Sequence, residues 1–286
     1  MSNLGQIPTD YKKFLDMFLH KYQAKENPVR SLFKNTNIDS ADTTPEYVRL
    51  LQDYSAAKGF TSFDDPDLLA DGARPQADSM GTEDATSTIK SYAKAYRLDR
   101  KLLKSSKSTI QSFIAEHALQ KVQIIENQIN RNLLTNMASN AGQTYTATGG
   151  TWSTTGDPVS DIIEAKQAFY DAAGGQAADF LLLNPNELGD IEKDNRFQST
   201  DYVSTKQMET GTITPNPLGL KVVRDPAVTT GTFFMGVSGR FGEMMISENF
   251  DTTESDEGLA GKVHEIVFSY IDQYKLPRYL MYGTGI

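Results

Sequence analysis

The sequence predicts an α+β fold, and three observations carry that prediction. One apolar stripe runs at helical spacing from 108 to 138. The run Phe180-Leu181-Leu182-Leu183 reads as a short buried strand. After residue 217 the signal turns to strands, ending in the alternating stretch from Val263 to Leu276. The chain has 286 residues, 38% of them hydrophobic, enough for one good core or a core plus a smaller satellite.

Taken in order, the elements are these. Tyr11, Phe14, Leu15, Phe18, Leu19 and Tyr22 predict an amphipathic helix over 10–24, ended by Asn27-Pro28. Such a stripe near a terminus packs either on its own core or on a neighbouring subunit. Residues 57–90 hold few large apolar side chains and are rich in Asp, Gly, Ala, Ser, Thr and Pro. A stretch this long without periodicity is a functional loop, an extension that pairs elsewhere, or disorder. Its run Asp64-Asp65-Pro66-Asp67 fails the calcium-loop spacing, because Leu69 falls where an oxygen ligand is needed.

Residues 90–107 carry Lys90, Lys94, Arg97, Arg100, Lys101, Lys104 and Lys107 against Asp99 alone. They form either a solvated face or a contact surface for acidic groups on a partner, or for phosphate. The helix over 108–138 follows, with Ile110, Ile114, Ala118, Val122, Ile125, Ile129, Leu133 and Met137 on its stripe. Phe113, Ile124 and Leu134 widen that stripe, and Asn140-Ala141-Gly142 stops the helix. Its length of about 45 Å makes it a spine for a chain of this size.

Residues 142–156 read as a Thr/Gly loop around the single tryptophan, Trp152. Asp157-Pro158 reads as an N-cap with proline in the first helical position. Val159, Ile162, Ile163 and Phe169 give that helix an apolar face, and Gly174-Gly175 closes it. Asn184 caps a further helix, with Glu187 placed to complete a capping box. Residues 193–217 read as polar loop. The strands that follow are 219–223, 233–237, 243–246, 263–276 and 279–282. The glycine-rich run 236–242 reads as a hairpin between strands. The carboxylates of 248–257 read as a solvated acidic loop.

The composition excludes much chemistry. There is no cysteine, so disulfides, thiolate nucleophiles and thiolate metal sites are absent. His20, His117 and His264 have no ligand spacing, and His117 lies off the main stripe of the spine. No hydrolase elbow, phosphate loop or dinucleotide fingerprint occurs. No catalytic residue, metal or cofactor is expected. With 28 basic and 37 acidic side chains the net charge is −9, which argues against a dedicated nucleic-acid binder. No window is apolar enough to span a bilayer and no signal peptide is read, so a cytoplasmic site of synthesis is expected. The census moves the reading toward a structural protein.

Several segments, in their order, resemble the major capsid protein of tailed double-stranded DNA viruses, with its Hong Kong 97-type fold. They are Tyr96-Arg97-Leu98-Asp99-Arg100-Lys101-Leu102-Leu103-Lys104 before the spine helix; Asp161-Ile162-Ile163 through Phe180-Leu181-Leu182-Leu183-Asn184-Pro185; Leu218-Gly219-Leu220-Lys221-Val222-Val223 with Asp225-Pro226; and the ending at Pro277. The likeness covers roughly residues 55–282. It implies an N-terminal arm and lead-in over 1–56, an extended loop over 57–90, a peripheral domain over 91–156 and an axial domain over 157–235. Return strands of the peripheral domain would follow over 236–286.

The resemblance further implies hexamers and pentamers of this chain forming an icosahedral head shell around double-stranded DNA, without sequence-specific binding. Portal protein, and separate scaffolding or cement proteins where these exist, would be its other partners. Assembly would take place in the host cytoplasm. Residues expected at subunit boundaries are Phe14 and Phe18 on the arm, and Asp65, Asp67 and Arg74 on the loop. Arg97, Arg100, Lys101 and Lys104 in the basic run would face Glu254, Asp256 and Glu257 in the acidic loop. Some members crosslink a lysine of the extended loop, but none stands between Lys58 and Lys90 here, so a non-covalent shell is expected. The alternative is an encapsulin-type nanocompartment that houses a cargo enzyme. It shares the fold but usually has a short N-terminal helix in place of a long arm, so residues 1–40 favour the virus. An unrelated α/β enzyme or binding domain is the third reading.

Overall fold

The structure, a computed structural model, describes residues 27–38, 46–50, 82–99, 108–193, 219–256 and 261–286. The helix expected over 10–24 lies outside the described residues. The spine is present as α1, Ser108–Asn140, about 50 Å long at the standard rise. Ala118, Val122, Ile125, Ile129, Leu133 and Met137 are all buried, so from residue 118 onward the stripe read from spacing is the packed face, while the side chains of Ile110, Phe113 and Ile114 lie outside the description. Ile124 departs from the expectation. It is 46% exposed, because its position on the helix turns it past the edge of the packed face.

The strands form two larger sheets and a ribbon. One sheet has four strands in the order β1 (Lys34–Asn37), β9 (Glu243–Asp256), β10 (Gly261–Gln273), β4 (Lys90–Asp99). The spine lies against β4 and β10 of this sheet. Ile266, Phe268 and Tyr270 on β10 and Tyr96 and Leu98 on β4 are buried. The second sheet has the order β5 (Gln143–Thr146), β11 (Leu280–Thr284), β8 (Thr232–Gly236), β6 (Phe180–Leu183), β7 (Lys221–Arg224). It therefore draws on 143–146 and 280–284 as well as on the strands between 180 and 236. The ribbon pairs β2 (Glu46–Leu50) with β3 (Thr82–Thr86), antiparallel, so both ends of the intervening chain are held together.

Three sequence expectations are corrected here. Residues 143–146 are a strand inside the stretch read as a Thr/Gly loop; Met281 of β11 opposes Gln143 and supplies the partner. The run 236–242 is not a hairpin, because β8 and β9 on its two sides belong to different sheets. The acidic run is not a loop before residue 257. Residues 248–256 continue β9, whose long pairing with β10 overrides the polarity of its side chains.

Local signals in the second half hold well. Asp157 caps α2 (Pro158–Ala172) by accepting from the Ser160 amide at 3.0 Å, and Gly174 and Gly175 follow the helix with φ of 80° and 72°. Val159, Ile162, Ala165 and Phe169 are buried, whereas Ile163 is 48% exposed and leaves the expected face. Asn184 caps α3 (Pro185–Lys193) by accepting from the Asn186 amide at 3.0 Å. Glu187 closes no capping box; its carboxylate accepts from the Gly231 amide at 2.7 Å, tying the helix to the turn before β8. At the end of the spine, a Cβ on Gly142 would stand 2.6 Å from the Pro277 carbonyl carbon, so this stop also serves a close backbone approach.

Trp152 is buried, and its indole nitrogen donates to Asp161 Oδ2 at 2.7 Å. Burial pushes the Asp161 carboxyl up, and the indole bond opposes that rise. Replacing Trp152 by phenylalanine keeps most of the apolar body but strips Asp161 of this donor. The expected loss is about 1–3 kcal/mol, read by urea denaturation followed by circular dichroism. An unchanged midpoint would show that the bond contributes nothing net.

Candidate assembly surface

The described chain begins at a firmly fixed point. Asn27 accepts from the Val29 and Arg30 amides through its side chain, at 3.0 and 3.3 Å, setting a turn. The turn directs Arg30 onto the spine, where Nη2 donates to Glu126 Oε1 at 3.0 Å. Both side chains are largely buried, 11% and 16% exposed. The guanidinium also lies 5.7 Å from the Phe250 ring centre and 5.2 Å from that of Phe268.

Phe250 reaches that position through a bulge. Val267 opposes Asp251 and Phe268 opposes Asn249, leaving Phe250 unpaired with φ of 55°. A bulky residue in the left-handed region costs about 1–3 kcal/mol. Here it brings the ring to the core side, where it is 3% exposed and 4.8 Å from Phe268. Beyond Arg30, Phe33 packs edge-on against Phe241 and Tyr274, and β1 pairs parallel with β9. Glu243 accepts from Lys275 and Thr36, and these bonds hold its carboxyl below the usual range. Residues 27–38 are therefore built into the body, and Arg30 joins them to the middle of the spine.

A second polar hub joins β4, the spine and β10. Asp272 is 5% exposed. Its Oδ1 accepts from Lys90 at 2.6 Å and its Oδ2 from Asn136 at 2.6 Å. Tyr92 and Tyr270, stacked 6.3 Å apart, lie beside it, and both phenols are pushed up, by burial first and then by the Asp272 charge. A third link, Asn130 Nδ2 to Asp225 Oδ2 at 2.7 Å, ties the spine to the turn after β7.

Of the residues expected at subunit boundaries, Phe14, Phe18, Asp65, Asp67, Arg74, Arg100, Lys101, Lys104 and Glu257 lie outside the described residues. Arg97 is exposed on β4. Glu254 and Asp256 are in β9. Arg97 opposes Val263, which in turn opposes Ser255, so the basic and acidic strands flank β10 within one chain. Their backbones are about 10 Å apart at two strand spacings. The spacing rules brought neither Arg30–Glu126 nor Lys90–Asp272 to light. The only hint of the latter was an acid interrupting the apolar run Tyr270-Ile271-Asp272. His117 is exposed and meets the Tyr96 ring edge-on at 5.8 Å. Among the described residues no group of three or more His, Asp or Glu side chains is placed to hold a metal ion, and no helix is long and apolar enough to cross a membrane.

A long spine against a four-stranded sheet, a second mixed sheet and a two-stranded ribbon define a Hong Kong 97-type capsid fold, and solved structures agree. The chain is similar to the mature capsid of bacteriophage PhiM1, at 10% identity over 90% of this chain and 86% of that one, with a TM-score of 0.60. It is similar to the capsid of Myoviridae phage XM1, at 10% identity over 90% and 91%, with a TM-score of 0.54. It is also similar to a virus-like particle from Pyrococcus furiosus, at 9% identity over 96% and 99%, with a TM-score of 0.62. The phage capsid protein family matches residues 82–272, two thirds of the chain, and the chain belongs to that family. No curated protein matches it by sequence. It is a shell-forming structural protein of the virion head.

Proposed function

We propose that this chain assembles as hexamers and pentamers into an icosahedral head shell, in the host cytoplasm, and that the shell encloses double-stranded DNA without reading its sequence. Portal protein, and scaffolding or cement proteins where these exist, would be its partners, and it would have no catalytic activity. Residues 1–56, 57–90, 91–156, 157–235 and 236–286 would serve as arm, extended loop, peripheral domain, axial domain and return strands.

The observation that carries this reading is the β2–β3 ribbon. Two strands alone are marginal in water, and Val48 on this one is 56% exposed. Arg49 ties it to the spine, its Nη1 donating to Asn140 Oδ1 at 3.3 Å. A neighbouring copy that covers the ribbon supplies the missing burial. In an assembled shell, Phe14, Phe18, Asp65, Asp67 and Arg74 would contribute to contacts between copies. Arg97, Arg100, Lys101 and Lys104 would meet Glu254, Asp256 and Glu257 of a neighbour.

Negative-stain microscopy of the purified full chain tests the reading: closed icosahedral particles are expected, and a stable monomer would overturn it. DNA-filled heads from infected cells are expected; particles filled with a protein cargo would support the nanocompartment instead. Replacing Lys101 and Lys104 by glutamine should lower particle yield several-fold at unchanged circular dichroism, and full yield would remove these two residues from the interface. Shells exposed to SDS without heating should run as single chains, and a covalent ladder would overturn the non-covalent reading.

A further inference from the structure

The carboxylate of Asp272 sits between two nitrogens. Lys90 Nζ donates to its Oδ1 and Asn136 Nδ2 donates to its Oδ2, each at 2.6 Å. An amine and a primary amide are thereby held on the two oxygens of one acid. The setting is enclosed: the Asp272 side chain is 3% exposed and that of Lys90 29%. Tyr92, Tyr270 and Tyr274 stand close enough to feel the Asp272 charge, and Lys90 Nζ lies 5.8 Å from the centre of the Tyr270 ring. Other lysine–carboxylate contacts among the described residues differ. Lys193 meets Asp190, and Lys34 and Lys275 meet Glu243, with no amide side chain bonded to either acid.

The trio holds the parts of an acyl transfer: a nitrogen nucleophile, an acyl carbon, and a proton carrier touching both groups. Moving a proton from Lys90 to Asp272 leaves two neutral groups, which cost less to bury than two charges. An aromatic, water-poor wall also suppresses the competing hydrolysis of the amide. Attack needs Nζ at about 3–3.5 Å from the amide carbon, and a rotation of the Lys90 stem supplies that approach.

We propose that Lys90 and Asn136 become joined by an amide bond from Nζ to Cγ, with Asp272 as the proton carrier. The step balances. Of the three protons on the Lys90 ammonium, one stays on Nζ and two pass through the Asp272 carboxylate to Asn136 Nδ2. The Nζ–Cγ bond forms, the Cγ–Nδ2 bond breaks, and the freed nitrogen leaves as ammonium. Asp272 ends as it began, and no oxidant, cofactor or second chain takes part. The reaction happens once per chain and is not a turnover. Its product ties the first residue of β4 to the spine. Strand β4 follows β3 of the ribbon along the chain, so the bond fixes the place where the ribbon joins the body. It lies within one chain and leaves the single-chain band expected in SDS unchanged.

Intact-mass spectrometry of the full-length chain, free and in assembled particles, tests the proposal. The expected mass is about 17 Da below that of the sequence, the mass of ammonia. A tryptic digest should yield a branched peptide holding residues 90 and 136, with no cleavage after Lys90. Asp272→Asn, of nearly equal shape, should bring back the full mass and the cleavage, and Lys90→Arg should bring back the full mass. Full mass in the wild-type chain, both free and in particles, would overturn the proposal. So would an ammonia loss mapped to a single residue, or a loss of water joining Lys90 to Asp272. A bond that persists in Asp272→Asn would overturn the role of Asp272. The mass is read whether or not the chain forms shells, so the shell reading stands or falls separately.

Discussion

Replacing Arg30 by methionine should destabilise the protein by about 3–5 kcal/mol near neutral pH, the usual consequence of leaving one member of a buried ion pair alone. Methionine keeps a stem against Phe250 and Phe268, so the effect isolates the charge. The Glu126 carboxyl is already pushed up by burial, against the opposing pull of Arg30. Removing Arg30 removes that pull, and the carboxyl rises further. A carboxyl raised in the folded state is penalised when it is charged, so stability falls as pH rises through its folded pKa and recovers as pH drops below it. Urea titrations should therefore show a smaller gap between variant and parent at about pH 5 than at about pH 8. The double variant Arg30→Met with Glu126→Gln should recover much of the loss. A gap independent of pH would show that Arg30 acts through packing alone.

The second large effect is expected at Asp272. Its replacement by alanine strips both Lys90 and Asn136 of their acceptor at the junction of β4, the spine and β10. Hydrogen bonds to charged groups contribute about 1.5–3 kcal/mol each, and an unsatisfied partner adds to the loss. Lys90 is 29% exposed and can turn toward water, so the expected total is about 3–4 kcal/mol rather than twice the single-bond figure. Asp272→Asn keeps an acceptor for Asn136 and should lose less than half as much. Denaturant midpoints of the two variants decide this. Equal losses would show that the Lys90 charge, not the geometry of the hub, carries the stability.

Much of the framework was legible along the chain. Helix periodicity, the Asp157-Pro158 start, the Gly174-Gly175 stop and the all-apolar strand 180–183 are signals between residues close in sequence, and they recur in the fold unchanged. Errors arose where a distant partner decides. Residues 143–146 are a strand because β11, more than 130 residues later, pairs with them. Residues 248–256 are a strand because β10 covers their backbone, whatever their charge. Glu187 forgoes its own helix end because the Gly231 amide lies within reach. Ile124 and Ile163 sit at the rims of apolar stripes, where the angular width of the covering surface, not the spacing, sets exposure.

The candidate surface divides in the same way. In the sequence the basic run reads as a solvated face or a contact surface, and the long loop without periodicity as a functional loop, a pairing extension or disorder. The Arg30–Glu126 anchor and the Asp272 hub could not be read in advance, because the pairs Arg30–Glu126 and Lys90–Asp272 lie 96 and 182 residues apart. Linear order thus specifies the local elements and the absence of thiol chemistry, since these depend on neighbouring residues and on composition. Which strands share a sheet, which charges are buried in pairs and which helix face is left open follow only from long-range packing, where backbone pairing and burial outweigh the preference of any single residue.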